Sequence, residues 1–164
     1  GSIAERKGQI RVVKALQNFT SKFNYICIGG GDPEKIKHLK KTAQNYKIDF
    51  EYKGVLETKK IREILAYVDF MILPSIKEGF GATYIESIAC GVPVIAPKNT
   101  PLAEEKIINK SNSILIENES VEAIKNCLAD LNLYNFNREF VSQSLPNIGW
   151  KNIAKEYEKL ILSL

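Results

Sequence analysis

Apolar residues are distributed along the chain in two alternating kinds of run. Short unbroken runs read as strands: Tyr25 to Ile28, Phe50 to Lys53, Asp69 to Leu73, Pro93 to Ala96 and Ile114 to Ile116. Turn formers stop the first three, at Gly29-Gly30-Gly31, Gly54 and Pro74-Ser75. Continuous rather than alternating apolar character predicts strands covered on both faces. Between these runs lie stripes at helical spacing. Val12, Leu16 and Phe19 form one, and Val121, Ile124, Leu128 and Leu131 form another with Ser120 as its N-cap. A closing stripe from Trp150 carries Ile153, Tyr157, Leu160, Ile161 and Leu164.

Strands that alternate with helices predict parallel pairing, because parallel neighbours need crossover connections. The expected fold is therefore α/β: a Rossmann-like, doubly wound parallel sheet of about six strands. Such a domain normally opens on its central strand. Here Gly1-Ser2-Ile3 leads almost directly into the first helix, so either that strand is cut short or the sequence opens at its end, and Gly1-Ser2 could equally be a cloning scar. No repeat, low-complexity stretch or linker interrupts residues 1–164, which are expected to form one domain.

A formal net charge of +4 is too mild to argue for nucleic acid, and the basic residues lack interleaved aromatics. Lys35, Lys37, Lys40 and Lys41 crowd one predicted helix beside the single histidine, His38. That run reads as a solvated helix face, with peripheral membrane contact as its functional competitor. Cys27, Cys90 and Cys127 show no metal-ligand spacing, and buried thiols in a reduced, cytoplasmic setting account for them. No run is long and apolar enough to suggest a transmembrane helix, and no secretory leader is visible.

Ligands of open α/β sheets bind beyond the carboxyl ends of the strands. Three segments qualify: Glu5-Arg6-Lys7-Gly8, Gly29-Gly30-Gly31-Asp32-Pro33 and Glu78-Gly79-Phe80-Gly81. The glycine triplet opens a helix with Pro33 near its start and could cradle a phosphate. A dinucleotide fingerprint would need glycine where Glu34 stands, which weakens that reading. In the third segment the glycines allow close approach to a ligand, and the amides of Gly81, Ala82 and Thr83 would face an anion. Glu86 follows on the next helix, with Ile85, Ile88 and Ala89 expected to pack inward. Two carboxylates so spaced suit two separate polyol contacts.

The stretch from Glu78 to Glu86, followed by Ala89-Cys90-Gly91-Val92-Pro93-Val94-Ile95-Ala96, resembles the motif of paired glutamates in retaining glycosyltransferases of group 1. Other features fit in order. Gly1-Ser2-Ile3 through Lys7-Gly8 is similar to the family's opening, and Ile28 to Gly31 to its second strand and glycine turn. Lys53-Gly54-Val55 resembles the turn by the nucleobase, and Trp150 through Tyr157 the closing helix. The resemblance implies the C-terminal half of a GT-B enzyme, with an N-terminal acceptor domain as its partner. It implies a nucleotide-sugar donor, UDP-linked on family frequency, and no metal cofactor. Sugar would pass to an acceptor in cell-surface polysaccharide or lipopolysaccharide synthesis, in the cytoplasm or at the inner face of the membrane.

Arg6 and Lys7 would then bind the donor diphosphate, and Glu78 would contact the transferred sugar together with Gly79, Phe80 and Gly81. Glu86 would hold the ribose hydroxyls, with Ala82, Thr83, Gly30 and Val55 completing the donor site. The isolated domain is expected to be inactive. Several positions depart from the family pattern. Ser2 stands where arginine is frequent, Asn99-Thr100-Pro101 replaces a glycine pair, and Ser113 replaces a glycine. Glu104 and Glu105 both stand near the family's acidic position. A non-catalytic nucleotide-binding module and a sugar-nucleotide epimerase of the same architecture are the competing readings.

Overall fold

In a computed structural model, residues 1–19 and 22–146 are described. Five strands alternate with seven α-helices among them: β1 (Asn24–Ile28), β2 (Asp49–Gly54), β3 (Met71–Ile72), β4 (Val94–Pro97) and β5 (Ser113–Ile116), with α1 (Gln9–Leu16), α2 (Pro33–Asn45), α3 (Thr58–Leu65), α4 (Ala82–Ala89), α5 (Pro101–Glu104), α6 (Val121–Ala129) and α7 (Arg138–Gln143). All the strand pairs are parallel. They form two ladders, β1 with β2 and β3-β4-β5, rather than the single sheet of about six strands expected. The opening segment passes between the ladders. Ile3 makes one parallel bridge to Gly31 and donates its amide to Gly30 O at 2.6 Å, and Ile76 N donates to Arg6 O at 2.8 Å on the other side. Among the described residues, that bridge is the only strand pairing the opening segment makes.

β4 lies in the middle of its sheet and is buried along its whole length. Its side chains alternate between two cores. Ile95 joins Val12, Leu16, Ile114, Ile124 and Leu128 under α1 and α6, while Val94 and Ala96 join Tyr84, Ile88, Leu102 and Val141 on the opposite face. Helices therefore cover both faces, which is the doubly wound arrangement. β2 departs from the expectation of continuous burial. Asp49, Glu51 and Lys53 are exposed while Phe50, Tyr52 and Gly54 are half-buried, because this strand has a neighbour on one side only and one face in water. The closing stripe from Trp150 lies outside the described residues.

Local chemistry accounts for the helix ends. Ser120 Oγ accepts from Ala123 N at 3.1 Å and caps α6, as its position predicts. α2 starts at Pro33 behind Asp32, whose carboxylate accepts from Glu34 N and Lys35 N. Cys27 and Cys127 are buried, and burial pushes each thiol up to about 11. Cys90 is half-buried and Ala89 is exposed; Ile88 packs inward as expected and Ile85 partly so, while Tyr84 and Ser87 complete the inner face of α4.

Tyr84 has no exposed surface, and its hydroxyl donates to Leu73 O at 2.7 Å. Burial, and after it the charge of Glu78, pushes this phenol well above its ordinary range, so it remains a donor. The bond fixes α4 over the end of β3. Tyr84→Phe leaves the Leu73 carbonyl with Ser75 N, at 2.9 Å, as its remaining donor, and should cost about 0.5–1.5 kcal/mol by urea unfolding. A variant as stable as the parent would remove the hydroxyl from the account of how α4 is placed.

Candidate functional site

The loops after β1, β2, β3 and β4 gather at the carboxyl ends of the strands, and the opening segment joins them there. Residues Glu5–Lys7 form a single 3-10 turn, ended by Gly8 at φ 82°, where α1 begins. This turn is bonded to the loop between β3 and α4. Besides the Ile76–Arg6 backbone bond, Arg6 Nη1 donates to Lys77 O at 3.3 Å. Lys7 Nζ lies 2.6 Å from Glu78 Oε1, with side chains 13% and 7% exposed. A charge-assisted bond so shielded from water is stronger than a surface pair. Two predicted site residues 71 positions apart thus meet.

Beyond Glu78 the chain turns through Gly79, Phe80 and Gly81 into α4. Gly81 adopts φ 82°, and a Cβ there would lie 2.8 Å from the Tyr84 ring and 3.1 Å from Leu102 Cδ1. No side chain caps the first turn of α4, so the Ala82 and Thr83 amides have no side-chain acceptor. Phe80 is exposed and Gly79 borders open space. Glu86, one turn further on, is also exposed, and among the described residues its carboxylate has neither an ion-pair nor a hydrogen-bond partner. This surface offers two carboxylates, two cations and uncapped amides around one helix start.

Gly30 and Val55 also meet, since a Cβ on Gly30 would stand 3.0 Å from Val55 Cγ2. Val55 is 79% exposed on the turn after β2, which is tied to the glycine turn by Gly29 N to Gly54 O at 2.7 Å. Tyr52 OH adds a bond to Gly29 O, also at 2.7 Å. At the glycine triplet, which could cradle a phosphate, two first-turn amides of α2 are already taken. The Asp32 carboxylate occupies the start of α2, and its negative charge opposes an anion there. Asp-Pro-Glu was the available signal for that cap. Lys35, Lys37, Lys40 and Lys41 are all exposed on α2, with Lys37 near Glu34 and Lys40 over the Tyr52 ring.

Sequence reasoning assigned no role to Tyr84 or Arg11, and noted Thr100 only within the segment that replaces a glycine pair. Thr100 is buried at the start of α5, whose Leu102 packs on Gly81. Its hydroxyl and that of Ser75 have no partner among the described residues. Glu104 and Glu105 are both exposed. Among the described residues no cluster of three or more His, Cys, Asp or Glu could hold a metal, and no helix is long and apolar enough to cross a membrane.

Parallel strands, helices on both faces and ligand groups at the carboxyl ends define a Rossmann-like α/β protein. The chain belongs to the glycosyl transferases group 1 family, whose pattern matches residues 1–138. It is similar to an uncharacterized glycosyltransferase of Methanocaldococcus jannaschii, 28% identical over 171 residues, covering 98% of this chain and 43% of that protein. The 2-deoxystreptamine N-acetyl-D-glucosaminyltransferase of Niallia circulans is 27% identical over 168 residues, covering 96% and 43%. Among solved structures, the Anabaena protein HepE in complex with UDP superimposes with a TM-score of 0.76 at 20% identity, over 100% of this chain and 47% of that one. The fold is that of one half of a GT-B glycosyltransferase. The chain spans less than half the length of these relatives.

Proposed function

We propose that this chain is the donor-binding, C-terminal half of a retaining glycosyltransferase that takes its sugar from a nucleoside diphosphate, UDP by preference. The observation that carries the reading is the Lys7–Glu78 pair beside the uncapped start of α4. In this structure the ammonium and the carboxylate satisfy each other. A nucleotide sugar supplies both with better partners: its diphosphate takes Lys7, and a sugar hydroxyl donates to Glu78. Arg6 adds a second cation, the Ala82 and Thr83 amides face the phosphates, and Glu86 accepts from the ribose hydroxyls. Gly30 leaves room for the base against Val55, and the backbone of Gly79, Phe80 and Gly81 borders the sugar.

During transfer an acceptor hydroxyl oxygen bonds to the anomeric carbon as the bond to the diphosphate oxygen breaks. The acceptor proton passes to the departing phosphate on the same face. Negative charge grows on that leaving group, and Arg6, Lys7 and the α4 amides stabilise it without a metal ion. The acceptor site belongs to an N-terminal domain, so the 164-residue chain alone binds donor and does not turn over. The acceptor is placed in cell-surface polysaccharide or lipopolysaccharide synthesis, at the cytoplasmic face of the membrane.

Titration calorimetry tests the reading. UDP should bind in EDTA with a dissociation constant of roughly micromolar to millimolar, or about 4–8 kcal/mol. Magnesium should not tighten it. Absence of heat with every nucleoside diphosphate and UDP-sugar, with and without magnesium, would defeat the assignment.

A further inference from the structure

Lys7 and Glu78 sit on separate loops, and a side chain outside the pair spans the two. Arg11, on the first turn of α1, donates through Nη1 to Glu5 O at 3.0 Å and through Nη2 to Pro74 O at 2.7 Å. Glu5 opens the 3-10 turn that carries Arg6 and Lys7, and Pro74 stands four residues before Glu78. A planar guanidinium can hold two carbonyls at a fixed separation, which a single ammonium cannot do. Gly8 makes the room, because a Cβ there would lie 2.7 Å from Arg11 Nη2.

The charge of Arg11 is otherwise unmatched. The residue is half-buried, its Nε is buried without a partner, and among the described residues no carboxylate pairs with it. Partly desolvating a cation against carbonyls alone is costly, and a nearby anion offsets that cost. The same two loops hold the groups assigned to the donor diphosphate.

We propose that Arg11 is a positioning residue of the donor site. It locks the Lys7 turn against the loop between β3 and α4, so that Lys7 and Glu78 face one ligand, and its charge is matched when an anion occupies that space. The second clause rests on the donor-binding reading, whereas the first does not.

Two measurements separate them. The first is ligand-free: a double-mutant cycle of Lys7→Met and Glu78→Gln, read as urea midpoints in the parent and again with Arg11→Gln. Coupling should be clear in the parent and fall by about half or more without the guanidinium. Undiminished coupling in a folded Arg11→Gln chain overturns the proposal. If that chain does not fold, Arg11→Lys carries the test, since it keeps the charge and loses the two-point bridge, and it too must lower the coupling. The second compares UDP with uridine by titration. Arg11→Gln should weaken UDP about tenfold and uridine less than about twofold, and Arg11→Lys should recover part of the UDP loss. Equal losses for UDP and uridine mark Arg11 as merely structural and overturn the proposal. A parent chain that binds no UDP ends the donor reading, while the coupling measurement still decides on the brace.

Discussion

Glu78→Gln is expected to destabilise the chain by about 2–4 kcal/mol while leaving its affinity for UDP unchanged or higher. The two effects diverge because Glu78 has Lys7 as its partner in the chain alone and a sugar hydroxyl in the proposed complex. In the free chain its carboxylate neutralises a largely buried ammonium at 2.6 Å, and glutamine leaves that charge without its counter-ion. When a diphosphate arrives, Lys7 exchanges Glu78 for phosphate oxygens, so the carboxylate competes with the ligand for the same cation. Removing it removes the competition. Lys7→Met should instead lower stability and UDP affinity together, because the cation serves both states. Urea unfolding and calorimetry on the same preparations check both arms. A folded Glu78→Gln chain that binds UDP tenfold more weakly would show that Glu78 holds Lys7 in place for the ligand, and the exchange account would fail.

That divergence could not have been read from the sequence, although much else was legible. β4 and β5 were visible because helices cover both of their faces, so their residues form continuous apolar runs. The paired glutamates and the glycines before α4 were visible as a motif. β2 was legible as a strand, yet its alternation Asp49, Phe50, Glu51, Tyr52, Lys53 already marked one wet face, and a run-based reading overlooked it. The division into two ladders was partly foreseeable, since the opening offers few residues to pair. The meeting of Lys7 with Glu78, and the Arg11 bridge over them, depends on how α1 and β3 pack. Charges so far apart in sequence carry no local pattern that identifies partners. The glycine turn was ambiguous for a different reason. Glycine followed by a helix suggests a phosphate site, but an aspartate at the cap supplies the anion from within the chain.

Gly8→Ala is the second substitution with a large expected effect, because position 8 combines strain with collision. Its φ of 82° belongs to the left-handed region, which costs a residue with a side chain about 1–2 kcal/mol. The added Cβ would also stand 2.5 Å from Pro74 O and 2.9 Å from Pro74 Cγ. The oxygen is backbone and cannot rotate away, so the turn bearing Arg6 and Lys7 must lift from the loop between β3 and α4. Lifting it loosens the Arg11 bridge, the Ile76–Arg6 bond and the Lys7–Glu78 pair together. The expected loss is about 2–5 kcal/mol of stability. UDP affinity should fall as well in whatever fraction remains folded. Gly79→Ala provides the contrast, since a Cβ there meets nothing within 4 Å and the parent backbone is not left-handed. It should unfold at nearly the parent urea concentration, so any loss of nucleotide-sugar affinity it shows reports crowding of the ligand. A Gly8→Ala chain as stable as the parent would mean that the two loops can separate freely, and the close fit at Pro74 would then have no part in building the site.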